Sequence, residues 1–249
     1  MRRIRIHVAY DGGPFHGWQV QPGVATIQGI LEEIASGIEG APVHVAGSGR
    51  TDAGVHALSQ VAAFTLTNPI PPDNLRRAMN RLLPPAIRVL SVAEAHADFH
   101  PRFQAVAKTY EYRIFRDEIC MPCEWPYVLH YPYPLDEARM VRLARAFEGE
   151  HDFTAFAAAD ERDGAGRSKV RRIFSSALEC HGARLVYRVR GSGFLKHMVR
   201  NIVGTLIEAG RGNVEDVSTL PARSGATALA KGLFLVSVEY PDAPTNDGA

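Results

Sequence analysis

Gly47-Ser48-Gly49-Arg50-Thr51-Asp52-Ala53-Gly54-Val55-His56-Ala57 sets three glycines around one carboxylate and one guanidinium. Glycine reaches backbone conformations closed to other residues and lets a second backbone or a ligand approach closely, so this run predicts a tight, special loop around Asp52. Upstream, Pro42 to Val45 reads as a short strand. Downstream, Val61-Ala62-Ala63-Phe64-Thr65-Leu66 is apolar and partly β-branched, as a buried strand is. Asp52 is therefore expected on a loop that feeds a rigid sheet.

Working outward from that loop, Ile4, Ile6, Val8 and Tyr10 alternate with Arg5, His7 and Ala9, the period of a half-buried strand ended by Asp11-Gly12-Gly13-Pro14. Thr26 has the chemistry of an N-cap, and Ile27, Ile30, Leu31, Ile34 and Ile38 form one apolar helix face that ends near Gly40. Pro71-Pro72-Asp73 opens a second helix, Asn74 to Leu83, with Leu75, Met79, Leu82 and Leu83 expected inward; Ile87 to Val92 follows as a strand. Strand, helix, strand, strand, helix, strand is the split βαβ, ferredoxin-like pattern with an antiparallel sheet. It fills residues 1–102 up to the connector Phe99-His100-Pro101-Arg102. His96, Asp98 and His100 are spaced like metal ligands on a helix, but Pro101 disfavours helical geometry there.

Residues 103–249 repeat the pattern. Tyr110, Tyr112 and Ile114 alternate with Thr109, Glu111, Arg113 and Phe115 on a strand; Leu135 to Phe147 is an amphipathic helix with Arg139, Arg142 and Arg145 largely outside. The stretch from Ala157 to Ser168 has no periodicity and predicts a mobile loop. Strands at Val170 to Glu179 and Arg184 to Arg190 precede a helix from Phe194 to Ala209, whose stripe is Leu195, Met198, Val199, Ile202, Val203 and Leu206. A last strand, Gly232 to Glu239, runs into a polar tail. The expected fold class is α+β: two ferredoxin-like halves, 1–102 and 103–249, with antiparallel sheets joined into one central sheet and a ligand cleft between the halves.

Several chemistries separate on residues alone. A phosphate-binding loop requires GxxxxGK[ST], and no Lys follows Gly54. Asp52-Ala53-Gly54 after Thr51 has the form of an aspartic-protease half-site, but such carboxylates work as a proton-sharing pair and the chain carries no second copy, so a protease needs a symmetric dimer. The 28 basic and 27 acidic residues leave a net charge of +1, so a nucleic-acid footprint must be a local patch. Arg76, Arg77 and Arg81, the arginines of 139–145, those of 167–172 and those of 184–200 are the groupings that can build one. Three cysteines exclude a fully paired disulfide framework; Cys120-Met121-Pro122-Cys123 with Cys180-His181 offers four zinc ligands only if the fold gathers them. No apolar run reaches membrane-spanning length and no signal-peptide core is present, which makes a cytoplasmic location the expectation.

GSGRTDAGVHA resembles the active-site motif of the bacterial tRNA pseudouridine synthase A family, whose RTDxGVHA core carries a nucleophilic aspartate. Five further segments resemble that family in order. Tyr10-Asp11-Gly12 through Phe15-His16-Gly17-Trp18-Gln19-Val20-Gln21 matches its opening and shifts the reading of Trp18 from a plug over the sheet toward RNA contact. FHPR at 99–102 matches its central link, and Lys108-Thr109-Tyr110-Glu111-Tyr112-Arg113-Ile114 its [KR]xYxYxI strand. Gly149 to Phe156 matches its GxHDFxxF, and Phe194-Leu195-Lys196-His197-Met198-Val199-Arg200 its third motif. Thr227 to Gly232 departs from the family, which more often has a proline there, and this puts the geometry of that turn in doubt.

The resemblance implies Asp52 as the catalytic residue and Tyr110 as the ring that packs on the target uracil. It implies Arg200, with Arg50 as a second candidate, as the cation favouring the ionised carboxylate. It also implies a homodimer acting on uridines 38–40 in the anticodon stem-loop of tRNA, with no cofactor and no metal. Conversion of uridine to pseudouridine breaks the N1–C1′ bond, turns the base over and rejoins it through C5, so it needs one positioned carboxylate and no external reactant. Hydrolytic glycosidases instead pair two carboxylates to activate water. A non-catalytic RNA-binding module and a hydrolytic nucleosidase remain the alternatives.

Overall fold

Ile4, Ile6, Val8 and Tyr10 are buried on every second position of β1 (Arg2–Tyr10), so the alternation read in the sequence is the strand's inner face. The computed structural model describes residues 1–159, 168–214, 216 and 219–241. After β1 come α1 (Ile27–Glu39), β2 (Ala46–Gly47), β3 (His56–Leu66), α2 (Pro72–Leu82), β4 (Ile87–Ala95) and β5 (Ala107–Phe115). Then follow β6 (Leu129–His130), α3 (Glu137–Arg145), β7 (Gly149–Asp152), β8 (Val170–His181), β9 (Arg184–Gly191), α4 (Met198–Gly210) and β10 (Leu233–Glu239). This is a mixed α+β fold around one large sheet. Positions 160–167 of the expected mobile loop and the tail from 242 onward lie outside the described residues.

The sheet runs β4-β1-β3-β10-β5-β9-β8-β7, with β2 beside β3 and β6 beside β5. Neighbours along the main path are antiparallel except at one seam, where β10 runs parallel to β3 over Phe234 opposite His56 and Leu235 opposite Ala57. The expected union of two antiparallel sheets is thus made by a short parallel contact. The seam is reinforced by side chains. The imidazole of His56 stacks on Phe234 with ring centroids 4.7 Å apart, its Nε2 lies 3.1 Å from the carbonyl of Lys231, and its Nδ1 receives the Gly12 N–H at 3.0 Å. α1 and α2 touch one another, as do α3 and α4.

Local chemistry explains the helix ends. Thr26 caps α1 by accepting the Gly29 N–H, and Gly40 closes it in the left-handed conformation. α3 is capped by Asp136, which accepts the Arg139 N–H. Three expectations need correction. Pro42 to Val45 is no strand: the Val43 N–H goes to Ser36 Oγ and the Val45 N–H to Glu32 Oε1, so α1 side chains take the donors a ladder would use, and only Ala46–Gly47 pair with β3. At the end of α2 the chain turns extended at Leu83, which becomes buried, while Leu82 stays 60% exposed. The helix expected from Phe194 begins at Met198, because His197 is left-handed (φ 61°, ψ 0°) and no right-handed turn runs through it.

Trp18 is also buried, against the expectation of RNA contact. Its indole lies on Gly47, where an added Cβ would stand 2.5–2.7 Å from the ring, and its neighbour Phe15 is buried with it. No helix among the described residues is long and apolar enough to cross a membrane.

Candidate active site

The segment between β2 and β3 is fastened at several backbone positions. The Ser48 N–H donates to the Val61 carbonyl at 2.8 Å, and the Ser48 carbonyl accepts from Lys108 Nζ at 2.6 Å. Gln60, fully buried, takes the Ser48 hydroxyl proton on Oε1 and donates from Nε2 to the Gly49 carbonyl at 3.0 Å. The Thr51 carbonyl accepts from Trp18 N–H at 3.0 Å, and its hydroxyl pairs with Tyr10 Oη at 2.8 Å. Gly54, at φ 77°, then reverses the chain into β3, a conformation that strains any residue with a Cβ. The base of the loop is thus tied to the sheet at Ser48, Gly49 and Thr51, and the Asp52 side chain projects from it.

Asp52 meets residues distant in sequence. Its Oδ2 lies 3.4 Å from Arg200 Nη1 on α4 and 3.4 Å from His197 Nε2, whereas Oδ1 has no partner among the described residues. Arg200 is itself locked: Nε donates to the Ala228 carbonyl at 2.7 Å, and the Ala228 N–H donates back to the Arg200 carbonyl at 3.1 Å. The turn at Thr227 to Gly232, the segment that departs from the family pattern, is therefore what orients this guanidinium. The Tyr112 hydroxyl fastens the same turn through the Leu229 carbonyl at 2.7 Å.

Tyr110 lies on β5 in the same cleft, with Phe194 edge-on to its ring at a centroid distance of 5.0 Å and 77° between planes. Burial pushes its phenol well up, with the charges of Tyr10 and Asp52 adding to the shift, so the hydroxyl stays neutral at physiological pH. Arg50 lines the cleft but forms no hydrogen bond or ion pair with Asp52. Of the two guanidiniums considered for the carboxylate, Arg200 is the one in contact. Asp52, Tyr110 and Arg200 are brought together from a loop, a strand and a helix, and Arg50 stands at their rim.

The cleft has a volume of about 760 Å³ and is cationic. Arg50, Arg102, Lys108, Lys196 and Arg200 line it, and Asp52 is the one acidic residue among the described residues that does. On β9, by contrast, Arg188 is paired with Glu111 and Arg190 with Glu239, so that arginine cluster is largely neutralised. No group of three or more His, Cys, Asp or Glu among the described residues is placed to hold a metal ion, and Cys120, Cys123 and Cys180 are free thiols.

Two residues of the cleft carry no role in the sequence reading. Lys108 reads in the sequence as the polar start of an alternating strand and the first position of the [KR]xYxYxI resemblance; in the fold it is partly buried, and burial with Arg102 nearby lowers its ammonium to about 8. His197 reads in the sequence as one more residue of the helix from Phe194, and the structure places it in the left-handed region instead.

The family model described as tRNA pseudouridine synthase matches residues 6–104 and 143–241. The chain is 80% identical to tRNA pseudouridine synthase A of Solibacter usitatus (strain Ellin6076) over 240 residues, covering 96% of this chain and 100% of that protein. It is 43% identical to the protein of the same name from Geobacter sp. (strain M21), over 97% of this chain and 100% of that one. Against that of Limosilactobacillus fermentum (strain NBRC 3956 / LMG 18251) the identity is 42%, over 99% and 98%. An acid loop tied to the sheet, a distant arginine turned onto it and matches along nearly the whole chain lead to one assignment: the chain belongs to the tRNA pseudouridine synthase family of RNA isomerases.

Proposed function

We propose that this enzyme converts uridine to pseudouridine at positions 38–40 in the anticodon stem-loop of tRNA, with Asp52 as its single catalytic carboxylate. The observation that carries the reading is the charge of the cleft, one acid among five cations in its described lining. The cations suit a polyanionic substrate. A hydrolytic glycosidase uses a second carboxylate within about 5–10 Å to activate water, and among the described residues the cleft lining supplies Asp52 alone.

In this reading the target nucleotide leaves its stack, at a cost of about a few kcal/mol, and its base lies against Tyr110. Asp52 acts on the sugar or base through Oδ1, the oxygen without a partner among the described residues, while Arg200 holds Oδ2. The N1–C1′ bond breaks, the uracil turns over, C5 bonds to C1′, the C5 proton leaves and N1 acquires one, so atoms balance without cofactor or metal. Arg50, which has no ion-pair partner among the described residues, meets the phosphate backbone. The strand orders β4-β1-β3-β2 and β10-β5-β9-β8 support reading the chain as two ferredoxin-like halves, 1–102 and 103–249, whose junction forms the cleft. The family resemblance adds a cytoplasmic homodimer whose two copies share the RNA surface.

The test is Asp52→Asn on unmodified tRNA carrying C5-tritiated uridine. The wild type is expected to release tritium and form pseudouridine at 38–40 without free uracil, and the variant to bind tRNA and release none. Turnover by Asp52→Asn removes that residue from the mechanism. Free uracil indicates a glycosylase, and RNA binding without tritium release by the wild type indicates a non-catalytic module.

A further inference from the structure

His197 is the one non-glycine residue with positive φ among the described residues, and it sits directly before α4. Left-handed backbone disfavours a residue with a Cβ, and non-glycine residues held there concentrate at functional sites. Glycine would fit this position without strain, so the imidazole must contribute something that offsets the backbone. It does not cap the helix: no side-chain cap bond is made at His197, and only its carbonyl serves the helix start, accepting the Asn201 N–H at 2.9 Å. The ring points into the cleft, with Nε2 3.4 Å from Asp52 Oδ2.

We propose that His197 is a positioning residue for Asp52, sharing Oδ2 with Arg200 so that Oδ1 is the oxygen offered to the substrate. This rests on the reading of Asp52 as the catalytic carboxylate. One contact to Oδ2 leaves the carboxylate free to rotate about its last bond, and two contacts from different directions fix its plane. Arg200 supplies charge from the first turn of α4, and His197 supplies direction from just before it. The 3.4 Å approach is longer than a hydrogen bond, and contacts of this kind tighten when an active site is filled.

The division of labour requires a neutral ring. Burial lowers the His197 pKa below the usual imidazole value; Asp52 opposes the shift, and Arg200 and Lys196 on its own segment and Arg223 from the chain before β10 reinforce it. At neutral pH the imidazole donates one N–H without adding a second positive charge. On acidification the imidazolium draws Oδ2 into a tighter ion pair and weakens the carboxylate as a nucleophile.

Two variants test this under single-turnover conditions on tRNA, with melting temperature measured alongside. His197→Gly relieves the backbone and removes the ring; we expect an unchanged or higher melting temperature, a kcat lower by about tenfold and a KM within about twofold of wild type. His197→Gln returns a non-titrating N–H donor at a similar reach. It is expected to recover most of kcat and to lose the acid limb expected of the wild type at pH below the ordinary imidazole range. Wild-type kcat in His197→Gly, a loss confined to KM, or a folded His197→Gln with no recovery each overturns the proposal. If Asp52→Asn is inactive while His197→Gly is fully active, the positioning role falls and the Asp52 reading stands. If Asp52→Asn turns over, both fall.

Discussion

Lys108 on β5 donates from Nζ to the carbonyl of Ser48, 60 residues earlier in the chain, at 2.6 Å. A buried ammonium thus crosses the β3–β10 seam to hold the base of the Asp52 loop. It also faces the cleft that would receive the RNA.

The ionisation of Lys108 should be visible in catalysis. Its ammonium is lowered to about 8 by burial, so in the free enzyme this cation is present below that pH and lost above it. Since kcat/KM reports free-enzyme ionisations, kcat/KM for tRNA is expected to fall as pH rises through about 8. Lys108→Met should sit on a low plateau without that limb. Stability runs the opposite way: between about 8 and the unfolded value of 10.5 the unfolded chain binds the extra proton, so unfolding free energy rises with pH in that window. pH-rate profiles and urea melts of wild type and variant check both signs.

Arg200 uses two different groups at once, Nε on the Ala228 carbonyl and Nη1 toward Asp52. Lysine has one charged nitrogen at the end of a flexible stem and cannot serve both. Arg200→Lys is therefore expected to lower kcat by about a hundredfold, the scale of a misplacement of about 1 Å, while tRNA affinity changes little. Single-turnover rates beside a filter-binding titration decide it; a kcat within a factor of two of wild type would show that the fork geometry is dispensable.

Gly47 and Gly37 make an internal contrast for stability. A Cβ on Gly47 would lie 2.5–2.7 Å from the Trp18 indole, inside the core, so Gly47→Ala is expected to destabilise by about 1–3 kcal/mol. Gly37, within α1, has nothing within 4 Å of its would-be Cβ, and Gly37→Ala should stabilise by about 0.5–1 kcal/mol through helix propensity. Urea denaturation followed by tryptophan fluorescence measures both, and equal effects of the two substitutions would refute the assignment of Trp18 as a buried plug.

What could be read without coordinates, and what could not, follows from how each feature is encoded. β1 and α1 carry their burial as periodicity, and Ile4, Ile6, Val8, Ile27 and Leu31 are all fully buried as that reading requires. The Asp52 loop was legible because glycine is spent where geometry is unusual, and Arg200 because a motif resemblance pointed to it. Periodicity also describes a helix face without fixing its first turn, which is why α4 was drawn through His197. The burial of Trp18 depends on Gly47 approaching it from another segment, and the enclosure of Lys108 depends on Ser48, so neither is present in its own local sequence. The position of β10 is of the same kind: a strand's composition says that it is buried but not between which neighbours.

That position has a consequence for how the enzyme comes into being. β10 is the last strand in chain order among those described, yet it is inserted between β3 and β5, and the turn just before it orients Arg200. During synthesis β3 and β5 must wait with unpaired edges until Leu233–Glu239 emerges, an interval in which they are open to pairing with other chains. A nascent chain halted before the turn at Thr227 to Gly232 would have its acid loop yet lack the support that aims the guanidinium. Competence for the reaction would then arrive with the closing of the sheet, and incomplete copies would be silent toward their RNA.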